Sequence, residues 1–433
     1  MRPEEKILAG RILFVVSLLI MTLWSNLSNA MPAFARQYNM SCAACHDAFP
    51  RLNAFGESFA VNNFRLANWR ETMLDLGDSS LALPRTLPLA IRVQGFLQSR
   101  DSERIDVLTG DSVSDSDFDI QAPYLVKLLS SAPLPENISY YFYGIFSEKG
   151  GNGEVIIEDV WFSYSDLAGS GISGMLGQFQ VSDLMFPREV RLTFQDFYAY
   201  RADGITYERG IILDRAFGPL DLAIGAVNGN GIEQNFAINS PGYRRPDRLF
   251  DNDSDKSGFL RIGSRLGPVN IGLFGLVGEQ NSVTGLAGTA TGNRTTDKNI
   301  LGIDLAGDIT PQIHWFAQGL WSSWDGGFIE TLPDQDYDCF GGFAGIDYIL
   351  NERWAFSLLY NYAEADDFSN TGTIYEGTKI NSFTVAGAYY FMRNVKAVLE
   401  LNLDALGEDR DGPPFVGYQS KENYLLFGID IAY

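Results

Sequence analysis

Four segments near the C-terminus alternate between two unlike faces, and that alternation restricts the fold more than any other feature. In 354–362, Trp354, Phe356, Leu358, Tyr360 and Tyr362 share one face; Ala355, Ser357 and Asn361 share the other, with Leu359 as an exception. Phe383, Val385, Tyr389 and Phe391 oppose Thr384, Ala386 and Ala388. Val395, Ala397, Leu399, Leu401 and Leu403 oppose Lys396, Glu400, Asn402 and Asp404. Leu425, Phe427, Ile429, Ile431 and Tyr433 oppose Gly428, Asp430 and Ala432. Period two belongs to strands. A soluble sandwich alternates as well. Here the charges of one strand sit opposite a wholly apolar face, which suits lipid outside and a polar lumen inside. Aromatics gather toward the strand ends, as an interfacial girdle requires. Past the N-terminal region no stretch reaches the run of about 18 apolar residues that a spanning helix needs, so strands must make any later membrane crossing. Strands in lipid must also close, because every backbone group needs a partner.

Tight turns punctuate this pattern at Pro133-Leu-Pro135, Ala168-Gly-Ser-Gly171, Phe217-Gly-Pro219, Leu266-Gly-Pro268, Asp308-Ile-Thr-Pro311, Leu350-Asn-Glu-Arg353 and Met392-Arg-Asn394. Polar stretches separate them at 100–117, 229–257, 279–297, 325–336, 364–377 and 407–421. Short turns on one side and long loops on the other form the bacterial outer-membrane arrangement, and seven turns imply about 16 strands. The aromatic terminus Ile431-Ala432-Tyr433 resembles the sorting signal of such barrels. The expected fold is all-β: a transmembrane antiparallel barrel over 87–433, preceded by a short, mainly helical segment over 31–86.

Residues 1–30 read as a secretory signal. Arg2, Lys6 and Arg11 form its charged start, Ile12 to Leu23 its apolar stretch, and Ser28-Asn29-Ala30 a cleavage site. A retained anchor is the alternative. The formal charge of −22 excludes a basic nucleic-acid footprint.

Just past the signal lies Cys42-Ala43-Ala44-Cys45-His46. C-x-x-C-H reads as covalent c-type haem attachment: each thiol forms a thioether to the macrocycle, and the histidine takes the iron from one side. A redox C-x-x-C expects a βαβ setting, and a zinc site needs two further ligands. Neither fits a chain with 3 Cys and 2 His. Export agrees with haem, because c-type haem is attached outside the cytoplasm. Phe49, Leu52, Phe55, Phe59 and Phe64 follow at mostly helical spacing, suitable for packing on a macrocycle or within an ordinary small helix. One haem c is therefore the expected cofactor, held by Cys42, Cys45 and His46.

The stretch Met31-Pro-Ala-Phe-Ala-Arg-Gln37, then Cys42–His46, then Phe49-Pro50-Arg51-Leu52-Asn53-Ala54-Phe55-Gly56, resembles the fused monohaem cytochrome–porins of the outer membrane. The iron oxidases of Fe(II)-oxidising bacteria are the best-known members. The resemblance implies one haem, a porin domain around or above it, and electron passage inward from an extracellular donor such as Fe(II) to periplasmic c-type cytochromes. In the iron oxidases Phe-Ala-Arg-Gln is commonly followed by Thr-Gly, and Phe-Gly by Arg-x-Phe-Lys. Here those places read Tyr38-Asn39 and Glu57-Ser58-Phe59-Ala60, the looser pattern of relatives with unknown donors.

The sixth iron ligand is open to His, Met, water or nothing. His314, on the lumen face beside a short turn, and Met73, in the head, are the candidates; an ordinary lumen histidine and simple packing are the plainer readings. Cys339 has no partner and reads as structural or incidental. The acidic run 101–119 and the alternating Asp251, Asp253 and Asp255 read as solvated loops, with oxygen ligation of cations as the alternative. No phosphate loop or nucleophile triad is present. The reaction expected is Fe(II):cytochrome c oxidoreduction by outer-sphere electron transfer, which needs no general acid or base. The alternative is a porin-like channel with a redox-sensing or structural haem segment.

Overall fold

The computed structural model describes residues 33–66, 73–78, 80–105, 112–148, 156–205, 207–231, 233–234, 243–244, 254–285, 288–366, 368, 371–373, 375–376, 378–405 and 419–433. The expected signal over 1–30 lies outside them.

Sixteen antiparallel strands form a closed barrel. They are β1 (Leu89–Ile105), β2 (Ser112–Pro133), β3 (Ile138–Glu148), β4 (Ile156–Tyr164), β5 (Ser173–Gln180), β6 (Tyr207–Phe217), β7 (Leu220–Val227) and β8 (Ser257–Leu266). The second half comprises β9 (Val269–Thr284), β10 (Thr289–Thr310), β11 (Ile313–Asp325), β12 (Tyr337–Asn351), β13 (Trp354–Ala365), β14 (Lys379–Met392), β15 (Val395–Asp404) and β16 (Gln419–Ala432). Each pairs with the next, and β16 closes on β1 in the register Ile431↔Val93 and Phe427↔Leu97. All seven expected turns connect consecutive strands on one rim. The barrel begins and ends on that rim, where Ile91 and Tyr433 exchange backbone hydrogen bonds of 2.7 and 2.9 Å.

The alternation translates directly into faces. Leu399, Leu401, Leu403 and Val385 point outward and are exposed, whereas Lys396, Glu400, Asn402 and Thr384 point inward and are buried. Ringed aromatics border the apolar belt at both ends. Trp354 packs on Tyr389 at 4.8 Å near the short turns, and Trp321 on Phe340 at 5.1 Å toward the long loops. An apolar exterior of this kind is stable only against lipid.

The described ends of two expected loops prove to be strand. Glu279↔Asp297 and Gln280↔Thr296 continue the β9–β10 ladder, and Arg100↔Asp117 and Asp101↔Ser116 continue β1–β2. Beyond the apolar belt a strand needs no greasy face, so its polar residues imitate a loop.

A loop that the alternation did not reveal folds into the interior. Residues 181–205, between β5 and β6, fold inward as two 3-10 turns and the short helix α3 (Ala199–Ala202), which packs on β11, β12 and β13. Phe197 stacks on Phe343 at 4.2 Å. Glu400 accepts from the amides of Phe194 (2.6 Å) and Gln195 (2.8 Å), and Asn361 bonds both Tyr198 N (3.1 Å) and Asp196 O (3.0 Å). At the loop's exit Gly204 takes φ +62°, and a Cβ there would meet the Trp324 ring at 2.2 Å. Only glycine satisfies both demands.

Candidate functional site

The head, from α1 (Ala33–Tyr38) through α2 (Ala54–Val61), packs against the short-turn rim. Ser41 caps the 3-10 turn Cys42–Ala44, and Cys45 N closes it on Cys42 O at 3.2 Å. Asn53 then ties this turn to α2. Its amide donates to Ala44 O (3.1 Å), its backbone N–H to Cys45 O (2.9 Å), and its Oδ1 caps α2 by accepting from Gly56 N (3.0 Å). Gly56 is required by the contact that results, since a Cβ there would lie 2.2 Å from Cys45 O. An asparagine N-cap thus places a helix against the backbone of the Cys42–Cys45 turn.

His46 belongs to a minimal hairpin, His46–Ala48 paired with Arg51–Leu52. Its Nδ1 lies 3.0 Å from Pro50 O and 3.2 Å from Arg51 O. Carbonyls only accept, so Nδ1 carries the proton and Nε2 keeps its lone pair. Burial pushes the imidazole pKa down, which keeps the ring neutral near pH 7. A neutral ring with Nδ1–H bound to a backbone carbonyl is the form a metal-ligating histidine takes. Cys42 and Cys45 are free thiols, half-buried, their pKa values pushed up by burial. These three side chains fit a covalent haem.

The aromatic residues after His46 divide their roles. Phe49 meets the His46 ring edge-on at 5.3 Å, and Phe55 on α2 stays 43% exposed beside the thiol turn. Phe59 instead packs on Phe34 and Tyr38, and Phe64 stacks on Phe34 (4.9 Å) and on Tyr141 of β3 (5.0 Å). Phe59 and Phe64 therefore fasten the head to itself and to the barrel.

The head is bound to the rim by polar contacts as well. Phe49 O accepts from Tyr390 Oη (2.7 Å) and Lys396 Nζ (3.2 Å). Arg51 pairs with Asp347 at 2.7 Å, Ser139 donates to Asn63 O at 3.1 Å, and Arg65 donates to Leu134 O and Ile138 O, both at 3.1 Å. Lys396 approaches Asp430 at 3.8 Å, and Arg92 clamps Asp430 with bonds of 3.1 and 2.8 Å. None of these barrel residues announced itself in the sequence; only the inward parity of Lys396 and Asp430 was readable there.

His314 faces the lumen, bonded through Nδ1 to Asp308 at 2.8 Å. His314 lies at the start of β11 beside the turn after Asp308, on the short-turn rim. Among the described residues no hydrogen bond, ion pair or ring contact joins His314 to His46. Met73 is half-buried, and its backbone bridges to Pro84. Cys339 is buried at the long-loop end of β12, the opposite end of the barrel from Cys42 and Cys45. Among the described residues no cluster of three or more His, Cys, Asp or Glu side chains suits a metal ion.

In sequence, no family profile and no curated protein matches the chain. In structure it is similar to the outer membrane channel DcaP of Acinetobacter baumannii, with a TM-score of 0.55 at 13% identity, over 82% of this chain and 99% of that one. The chain has a porin-like fold. The anion-selective porin from Comamonas acidovorans aligns at TM-score 0.49 and 13% identity, over 80% of this chain and 100% of that one. A porin-like barrel with an apolar outer belt places the protein in a bacterial outer membrane, with lipid as its surroundings.

Proposed function

We propose that the chain is an outer-membrane electron-transfer protein, carrying electrons from an extracellular donor, with Fe(II) the leading candidate, to periplasmic c-type cytochromes through one covalently bound haem c. The observation that carries this reading is the His46 ring, whose Nδ1 is engaged by Pro50 O and Arg51 O while two free thiols, Cys42 and Cys45, precede it in the chain. Haem, when bound, supplies a one-electron iron couple. Cys42 and Cys45 would attach it as thioethers, His46 would ligate its iron, and Phe49 and Phe55 would flank it with apolar surface. His314 and Met73 stay the candidates for the distal position. Short turns face the periplasm in outer-membrane barrels, so the head sits where a periplasmic cytochrome can reach it. Outer-sphere transfer needs no acid or base.

Potentiometry with Fe(II) on the detergent-solubilised protein tests this reading. Fe(II) is expected to reduce the haem; a haem whose potential is favourable but which Fe(II) never reduces would sink the donor assignment.

The fold favours a second reading, a porin-like channel in which the haem segment senses redox state or serves structurally. Its closest support is the likeness to a channel protein. The inward-folded 181–205 loop and the fully buried lumen residues Asn361, Thr384, Glu400 and Asn402 weigh against free solute passage. Swelling of liposomes in small solutes, with no electron delivery to an enclosed acceptor, would decide for the channel.

A further inference from the structure

We propose that the barrel wall is part of the haem ligand's support: Tyr390 and Lys396, acting on the Phe49 carbonyl, and Asp347, acting on Arg51, hold the strip 49–51 against the His46 ring and thereby set the potential of the iron. The proposal rests on the haem reading above.

The strip is engaged from two sides. On one side Pro50 O and Arg51 O accept from His46 Nδ1. On the other, Phe49 O accepts from Tyr390 Oη at 2.7 Å and Lys396 Nζ at 3.2 Å, while the Arg51 guanidinium meets Asp347 Oδ2 at 2.7 Å. Asp347 is fixed in turn by Ser357 Oγ, which donates to its Oδ1 at 2.7 Å. Tyr390, Lys396 and Asp347 are 4%, 3% and 4% exposed, so these are built contacts rather than surface encounters.

The strip cannot hold itself. Its hairpin pairs three residues with two, and an isolated pair of such strands is marginal in water. The supports come from residues 296 and 341 positions away in sequence, which only the closed barrel brings there. A carbonyl bound to Nδ1–H fixes the rotation of a ligating imidazole and raises its basicity. A basic ligand favours the oxidised iron. Loosening the strip lengthens Nδ1–H···O, weakens the ligand and raises the potential. Tyr390, Lys396, Asp347 and Ser357 are positioning residues in this scheme; none touches the iron.

Neutral substitutions test this without changing charge. Tyr390→Phe removes only the hydroxyl donated to Phe49 O, and Ser357→Ala removes only the bond that steadies Asp347. The readouts are the midpoint potential and the ferric electron paramagnetic resonance spectrum of the detergent-solubilised haem protein. Both variants are expected to shift the potential upward and change the ferric spectrum. Tyr424→Phe, the same deletion at a residue that holds the lumen loop, is expected to leave both unchanged. Ser357→Ala keeps the test alive if Tyr390→Phe loads no haem. Reduced loading with an unmoved potential would mean simple anchoring and would overturn the proposal. Wild-type protein without covalent haem would overturn this proposal and the electron-transfer reading together, whereas haem present and insensitive to both variants would overturn this one alone.

Discussion

Glu400→Leu is expected to release the middle of the lumen loop while leaving the barrel standing. The buried Glu400 carboxylate accepts from Phe194 N (2.6 Å), Gln195 N (2.8 Å) and Tyr424 Oη (2.7 Å). Leucine approximates its volume and accepts nothing. The Tyr424 hydroxyl retains Gln195 Oε1 at 2.8 Å, so it keeps a partner. The two amides do not, and each buried orphan costs about 1–3 kcal/mol. The loss against the docked loop is therefore about 2–6 kcal/mol. Because about 1.4 kcal/mol is a factor of ten, exchange of these two amides should accelerate by roughly thirtyfold to twenty-thousandfold. Hydrogen exchange read by mass spectrometry over a peptide covering 192–197 measures this directly. The strand ladders should exchange as slowly as before, since their pairing does not involve Glu400. Exchange within threefold of the wild type would refute the idea that this carboxylate latches the loop.

Gly56→Ala should abolish or strongly reduce covalent haem content per chain, because its Cβ would press into Cys45 O at 2.2 Å and push α2 off the thiol turn; haem staining of the denatured chain reads it out. Leu401→Lys, on the lipid face, should lower the stability of the barrel in liposomes by about 2–4 kcal/mol in denaturant titrations. Cys339→Ala should leave haem content unchanged, and Cys339 itself should resist a maleimide in the folded protein, being only 4% exposed among Tyr337 and its aromatic neighbours.

The strands were readable wherever lipid imposes its demand. Along 395–404 every second residue must be apolar, and the sequence there states both faces at once. Leu359 broke the pattern on β13 because it points inward and joins Phe197, Tyr200 and Phe343 in the lumen. The inward loop stayed hidden for the same reason. Phe194, Phe197, Tyr198 and Tyr200 look like barrel wall because they are buried, and nothing local says that the wall buries them from within. Conversely, polarity at 279–297 hid strands that lie beyond the apolar belt.

In the candidate site, Cys42, Cys45 and His46 stand out in the sequence because covalent attachment of one macrocycle would require this spacing along a single short segment. Asn53 and Gly56 were not, since an N-cap and a close helix approach look ordinary in sequence. Asp347 and Tyr390 lay further out of reach. Their contacts with the head depend on barrel register across hundreds of residues, which alternation cannot supply.

Intact-mass spectrometry with a pyridine haemochrome spectrum, on protein exported by its bacterial host and extracted in detergent, confronts the central idea most directly. One covalent haem per chain is expected, and it should disappear when Cys42 and Cys45 are both replaced by alanine. A colourless protein whose Cys42 and Cys45 remain free thiols would contradict it.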